Sequence, residues 1–225
     1  MFPFPTHLYL PATMLSDPEL LLTDSATLAA GIAIELERND GVDALKAYRA
    51  ILDSRGWPLR AVGLQWDVRR PPDANLINDG LATIGDACDL LLLRLCSSDA
   101  HDKPSAPRAL AVAAEFIHRC LRQTDSKIRI ALTPQVGLWL SNEQDAVRLA
   151  MRVNRANVGV AMNWNQCSTN AATFADTLRL VHPKLLAVML EPGNEMVERL
   201  ILPHLDMQPL ISLGYRGPVF LRINL

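Results

Sequence analysis

The stretch NVGVAMNWNQC, residues 157–167, decides how the fold of this chain is interpreted. A continuous apolar run at residues 158–162 is followed by the polar or amphipathic side chains Asn163, Trp164, Asn165 and Gln166. Strands that are buried on both faces of a parallel sheet form continuous apolar runs, and the carboxyl ends of barrel strands carry the functional groups. The stretch therefore predicts a buried parallel strand that delivers amide side chains to the mouth of a barrel.

Similar apolar runs recur along the whole chain. They occupy residues 6–11, 31–37, 59–67, 89–96, 127–134, 184–192 and 217–224. Most of them are continuous rather than alternating, which is typical of strands that are covered on both faces. Together with the first stretch they predict eight strands.

The segments between these runs carry helix signals. Residues 40–56 end at Gly56, which is placed as the glycine that follows a helix, and the segment beginning at Ser105 has a proline in its first turn. Ser141 and Gln144 have the spacing of a capping box, and Ser168 or Thr169 is the expected N-cap of the next helix. Helices are therefore expected to alternate with the strands.

Eight strands alternating with helices predict an α/β fold, namely a compact (β/α)8 TIM barrel with short loops, as a single domain over residues 1–225. An open, doubly wound sheet is the alternative, although neither GxGxxG nor GxxxxGK[ST] follows any strand. The chain stops at Leu225, directly after the last strand, so the last helix is expected to be missing. The apolar surface left exposed suggests a homodimer.

Charge, hydropathy and cysteine spacing indicate which partners and which compartment the protein is expected to have. The net charge is −2 and the sequence pI is about 6.2, and basic residues are scattered, so nucleic acid is not the expected partner. The sequence has no apolar run of about twenty residues, so no membrane partner is expected. The N-terminus does not resemble a signal peptide, and the cysteines form no CxxC pair, which favours reduced thiols in the cytoplasm.

Charged residues at the strands provide the candidate site. Glu191 ends the seventh strand, where it is either a general base, a partner of Arg222 or a solvated loop acid. Arg94 lies inside an apolar strand, and a buried charge is costly unless it is paired. It is expected either to bind an anion or to pair with a neighbouring strand's acid such as Glu35. Glu35 and Glu37 alternate along their strand, so only one of them can point into the barrel.

Two tryptophans can each be interpreted either as ligand-binding residues or as core residues. Trp139 and Trp164 lie near predicted strand ends, where an aromatic ring can stack on a sugar. Core packing is the favoured interpretation for both.

Two segments resemble the xylose isomerase-like TIM barrel family, the sugar phosphate isomerase and epimerase group. The first is residues 129–167, which contains NRANVGV, and the second is residues 209–225, which contains LGYRGP. The resemblance implies a carbohydrate-processing barrel, in which family members bind a divalent metal through acids and histidines at four strand ends. A metal-bound sugar oxygen is polarised there, and a carboxylate moves the proton.

The resemblance places other side chains at these metal-ligand positions. The acid of the fifth strand falls on Thr133 and the nearby histidine on Gln135, while the aspartate of the sixth strand falls on Asn163 and its following histidine on Gln166. The glutamate of the last strand falls on Arg222, and Glu191 is the nearest candidate on the seventh. Amides are weak neutral ligands and a guanidinium repels a cation, so no metal and no other cofactor is expected.

The sequence thus predicts a degenerate member of this group. Its function is expected to be that of a sugar phosphate isomerase or epimerase-like protein that acts on or binds a carbohydrate. The alternative is a non-catalytic pseudoenzyme that serves as a sugar-binding or scaffolding subunit. Glu191 is the candidate catalytic residue. The candidate ligand-binding residues are Glu35, Arg94, Gln135, Asn163, Asn165, Gln166 and Arg222.

Overall fold

The structure is a computed structural model of the 225-residue chain. It describes residues 4–11, 30–36, 42–70, 88, 90–99, 101–123, 128–164, 167, 171–191 and 207–222. All eight strands that the apolar runs predict lie within these residues.

The strands form one closed barrel in which every neighbouring pair is parallel. They are β1 (Thr6–Pro11), β2 (Ile32–Glu35), β3 (Leu59–Asp67), β4 (Leu90–Cys96), β5 (Arg129–Leu132), β6 (Val158–Asn163), β7 (Leu185–Leu190) and β8 (Val219–Arg222). The predicted (β/α)8 barrel is confirmed, and the open doubly wound sheet is excluded because β8 pairs with β1.

The predicted strand bounds match for β1 and β3, and the predicted sixth run, residues 157–164, is one residue too long at each end. The other predicted runs also extend past the observed strand ends, and residues 37, 89, 127, 192, 223 and 224 of these runs lie outside the described residues. Beyond β2 and β5 the hydrogen bonding continues, because the backbone N–H of Leu36 donates to Gly63 and that of Thr133 donates to Leu93. The parallel barrel places the carboxyl ends of all eight strands on one face, which is the mouth of the barrel.

Helices follow several of the strands. Within the described residues the α-helices are α1 (Val42–Ser54), α2 (Pro107–Gln123), α3 (Glu143–Val153), α4 (Ala171–Val181) and α5 (Gln208–Ser212), and a short 3-10 helix spans His182–Lys184. Gly56 has the expected positive φ of 66° just after α1, and Pro107 is the first residue of α2.

The predicted capping box at Ser141 and Gln144 is wrong by one residue. Asn142 is the N-cap of α3, and its side-chain oxygen accepts a hydrogen bond of 2.9 Å from the backbone N–H of Asp145. Serine and asparagine both cap helices well, so the residue types alone do not decide between adjacent positions. The predicted caps Ser168 and Thr169 lie outside the described residues.

The barrel interior is built from large and small side chains that fit together. Its core comprises Tyr9, Ala33, Ala61, Leu90, Leu92, Ala131, Ala161, Ala187, Met189 and Phe220. A second, larger core lies between the outer faces of the strands and the helices. Small residues on neighbouring strands leave room for the few large rings, and this packing forms the floor beneath the mouth.

Gly63 of β3 shows how tightly this floor is packed. A Cβ atom at this position would lie 2.1 Å from the hydroxyl oxygen of Tyr9 and 2.9 Å from its Cζ. Tyr9 is buried, so its ring has little freedom to move away.

None of the described helices is long and apolar enough to cross a membrane.

We expect Gly63→Ala to lower the free energy of unfolding by roughly 1–3 kcal/mol, because the added methyl group overpacks the interior. The variant should lose less stability in a Tyr9→Phe background, where the closest clashing atom has been removed. Chemical unfolding of the two single variants and the double variant measures this coupling. Equal losses in both backgrounds would contradict the packing described for Tyr9.

The buried ring of His7 should make the stability of the protein depend on pH. Its ring is buried near the amino end of β1, 5.2 Å from the ring of Phe220, and Nδ1 has no hydrogen-bond partner. Burial, followed by the charge of Arg60, lowers the pKa of His7 from 6.5 to about 4. The unfolded chain therefore takes up this proton at a higher pH than the folded chain does.

Stability should consequently fall as the pH decreases from 6.5 towards 4. Between pH 7 and pH 5 we expect His7 to account for a loss of roughly 1 kcal/mol, which allows for partial solvent screening. Denaturant unfolding at several pH values measures this slope. His7→Phe should flatten it, whereas His101→Gln, at an exposed position, should leave it unchanged. A slope that is the same in His7→Phe as in the wild type would exclude His7 as its origin.

Candidate functional site

Four charged side chains meet at the carboxyl ends of the strands. Glu35, the last residue of β2, forms an ion pair with Arg94 of β4, and its second oxygen lies 3.1 Å from Nη2 of Arg222 on β8. Nη1 of Arg222 donates a 3.0 Å hydrogen bond to Oε1 of Glu191, the residue that follows β7. The result is a chain of alternating charges in the order Arg94, Glu35, Arg222, Glu191.

This network is largely shielded from solvent. The side chains of Arg94, Glu35, Arg222 and Glu191 are 7%, 15%, 17% and 26% exposed, so Glu191 is the most accessible of the four. Charges at this depth are tolerated because each has an opposite partner. Two guanidinium groups and two carboxylates leave the network without net charge.

Tyr9 supports the network from below. Its ring centroid lies 5.9 Å from Cζ of Arg222, within the range of a cation–π contact. Burial, followed by the charge of Glu35, raises the pKa of the Tyr9 hydroxyl above its usual range, so Tyr9 stays protonated and can donate to Glu35. Burial tends to lower the pKa of Arg222, but the charge of Glu35 and the hydrogen bond with Glu191 raise it overall.

Amide side chains extend the site along β5 and β6. Oε1 of Gln135, just beyond β5, accepts a 3.1 Å hydrogen bond from Nη1 of Arg94. Asn163 is the buried last residue of β6, and Thr133 is buried beside β5 with its hydroxyl bonded to the carbonyl of Ala131. The predicted residues Asn165 and Gln166 lie outside the described residues.

Two ion pairs expected from the sequence are present. Arg94 pairs with Glu35, and Arg222 pairs with Glu191. Whether any of these residues binds a ligand, or whether Glu191 is catalytic, stays a prediction. Sequence reasoning missed the contact between Arg222 and Glu35, and it also missed Tyr9. The alternation of Tyr9 with His7 on one face of β1 was the available signal.

The tryptophans belong to the core. Trp139 and Trp164 are 8% and 5% exposed, and Trp164 makes an edge-to-face contact with Phe174 at 4.7 Å between centroids. Cys167, which follows β6, is not an activated thiol, because burial and the charge of Glu143 raise its pKa. These side chains therefore contribute packing rather than chemistry.

The described residues do not fit a divalent metal between Glu35 and Glu191. Both of these acids are engaged by arginines, and a guanidinium lies between them where a bridging cation would have to be. Asp67, at the end of β3, instead accepts hydrogen bonds from the backbone N–H groups of Arg69 and Ser98. Within the described part of the chain, no group of three or more His, Cys, Asp or Glu side chains is arranged to hold a metal ion. Hard cations need several anionic or carbonyl oxygens, and both Glu35 and Glu191 are held in ion pairs with arginines.

The ion-pair network should contribute to the stability of the folded protein. Arg222→Met should lower the free energy of unfolding by roughly 2–4 kcal/mol, because it leaves two largely buried carboxylates without their partner. Glu191→Gln should cost less, since Arg222 keeps Glu35. The double variant should show a coupling of about 0.5–3 kcal/mol between the two residues.

Thermal and denaturant unfolding of these variants measure that coupling. Arg179→Met is the matched control, because the pair of Arg179 with Asp176 has side chains that are 71% and 78% exposed. Its loss should stay within about 0.5 kcal/mol. Strictly additive losses for Arg222→Met and Glu191→Gln would show that their pairing adds nothing to stability.

Comparisons with known proteins identify similar folds. No protein-family model matches the sequence, and no curated protein matches it significantly. Among solved structures, a D-allulose 3-epimerase from Methylomonas sp. in complex with D-allulose superposes with a TM-score of 0.67 at 15% identity, over 98% of this chain and 84% of that one. Other sugar epimerases match similarly.

Two further structures show how broadly the fold is used. The AP endonuclease, family 2, from Brucella melitensis matches with a TM-score of 0.64 at 15% identity, over 97% of this chain and 92% of that one. A xylose isomerase-like TIM barrel protein from Mycobacterium smegmatis in complex with magnesium matches with a TM-score of 0.59 at 13% identity, over 93% and 80% of the two chains. The chain thus shares its TIM barrel fold with these proteins.

Proposed function

We propose that this protein binds a carbohydrate at the barrel mouth and that it does so without a divalent metal. The observation that carries the proposal is the network of Glu35, Arg94, Arg222 and Glu191, extended by Gln135. Such a set offers donors and acceptors side by side, which suits a ligand that is rich in hydroxyl groups. The sugar epimerases of similar fold support the choice of a carbohydrate.

The proposed reaction is an isomerase or epimerase-type proton transfer at a carbon next to a sugar carbonyl. Glu191 is its proposed base, since it is the most exposed carboxylate of the network and follows a strand end that opens on the mouth. Gln135 and Asn163 are proposed to orient hydroxyl groups of the ligand, together with Asn165 and Gln166. We place this activity in the cytoplasm, without nucleic acid or membrane as partner.

The second candidate is a pseudoenzyme that binds a sugar, or acts as a scaffold, without turnover. One observation favours it, namely that Oε1 of Glu191 is already bound to Arg222 and is not free to take a proton in this arrangement. Thr133 and Asn163 also stand at strand ends where the resemblance implies acids. Binding and turnover must therefore be measured separately.

The first experiment measures binding. The purified protein is titrated with a panel of ketoses, aldoses and sugar phosphates, by calorimetry and by thermal shift, with EDTA or with Mg²⁺ or Mn²⁺. A ligand should bind equally well in EDTA and with added metal. Arg94→Met and Arg222→Met should weaken that binding by about tenfold or more. Binding that requires added metal would contradict the proposal.

The second experiment measures turnover with any ligand found. NMR in D₂O follows exchange of the hydrogen next to the sugar carbonyl. If the protein is an enzyme, Glu191→Gln should reduce exchange by about a hundredfold or more while binding is kept. Asp176→Asn, an exposed control on α4, should change neither quantity. Tight binding with no exchange in the wild type would establish the pseudoenzyme instead.

A further inference from the structure

The position of Arg222 between two acids defines where positive charge is held at the mouth. Nη2 of Arg222 lies 3.1 Å from Oε2 of Glu35, and Nη1 lies 3.0 Å from Oε1 of Glu191. One guanidinium therefore bridges two carboxylates that come from β2 and from the end of β7. A bridging arrangement of this kind is also how carboxylates share a metal cation.

Arg94 supplies a second positive charge on the other side of Glu35. It contacts Oε1 of Glu35 through Nη2, so each oxygen of this carboxylate is taken by a different arginine. The two guanidinium groups together carry the charge of one divalent ion, and the two carboxylates balance it. The four groups thus form a neutral cluster in which a guanidinium separates the two carboxylates.

The arginines retain unused hydrogen-bonding capacity. Nε of Arg94 and Nε of Arg222 are both buried and have no hydrogen-bond partner, and the Arg94 side chain is only 7% exposed. A buried donor without an acceptor costs roughly 1–3 kcal/mol, so a side-chain shift that brings one of these donors to a ligand oxygen gains that interaction on binding. The carboxylates fix the position of the guanidinium charges before a ligand arrives.

We infer that Arg94 and Arg222 perform the work of the divalent cation of metal-dependent barrels: they bind and polarise an oxygen of the ligand. The ligand class that follows is a carbohydrate with a carbonyl or carboxylate oxygen. Such an oxygen accepts hydrogen bonds from two N–H groups more strongly than a hydroxyl oxygen does. This choice of ligand rests on the proposed function. The placement of the arginines at the cation position does not depend on it.

The placement is tested with Mn²⁺ alone, by titration calorimetry and by electron paramagnetic resonance. Wild-type protein should show no Mn²⁺ binding that Glu35→Gln abolishes. Arg222→Glu should bind about one ion per chain, at least about tenfold more tightly than the wild type, because it leaves three carboxylates around the vacated position. Mn²⁺ should also raise the melting temperature of this variant more than that of the wild type.

Arg179→Glu is the matched control, because it makes the same charge change at an exposed position on α4 and should not create a Mn²⁺ site. If Arg222→Glu does not fold, Arg222→Asn keeps Glu35 and Glu191 and gives the same test with a neutral ligand. Wild-type binding of Mn²⁺ that Glu35→Gln abolishes would overturn the inference. Folded Arg222 variants that bind Mn²⁺ no better than Arg179→Glu would overturn it as well.

The ligand class is tested in a separate arm with a ketose and its reduced alditol. The wild type should bind the ketose at least about tenfold more tightly, and Arg222→Met should lose this preference even where some binding remains. Equal binding of the ketose and the alditol by the wild type would overturn the assigned ligand class. A wild type that binds no sugar would refute the proposed function, while the Mn²⁺ result would still decide the placement of the arginines.

Discussion

The carboxylate of Glu35 is the constraint on which the mouth of this barrel depends. It is held at the end of β2 by guanidinium groups from β4 and β8, and each of its oxygens has its own arginine. A charge at this depth is tolerated only while its partners are in place. The three strands are not neighbours, because β3 lies between β2 and β4 and β1 lies between β8 and β2. The network can therefore form only when the barrel is closed.

The packing below the mouth holds the ion pairs around Glu35 in position. Tyr9 lies under Arg222 and fits against Gly63, where a methyl group would clash with its hydroxyl. The alanines around it leave the space that this ring and Phe220 fill. A rigid floor fixes the height of the ion pairs, because close-packed interiors yield little to displacement. The geometry of the site is thus a consequence of side-chain volumes in the layer beneath it.

The fold and two of the ion pairs were predictable from the sequence for the same physical reason. Apolar runs reveal strands covered on both faces, and a charge inside such a run must find an opposite charge on another strand end. This reasoning led to Glu35 for Arg94 and to Glu191 for Arg222. It did not lead to the contact between Arg222 and Glu35, because β8 and β2 come close only when β8 pairs with β1 and closes the barrel. Tyr9 was missed because a tyrosine in a buried strand is an ordinary core residue until its hydroxyl partner is known.

The barrels of similar fold include sugar epimerases and an endonuclease, so the architecture by itself does not select a substrate. Selection must come from the strand ends, and here two of them carry arginines whose fixed positive charge is balanced by Glu35 and Glu191. A divalent ion polarises an oxygen more strongly than a guanidinium does, but its binding depends on the metal supply and on pH. An arginine is part of the chain and is charged at every physiological pH. If the mouth binds a carbohydrate as proposed, a site built in this way trades electrophilic strength for permanent occupancy.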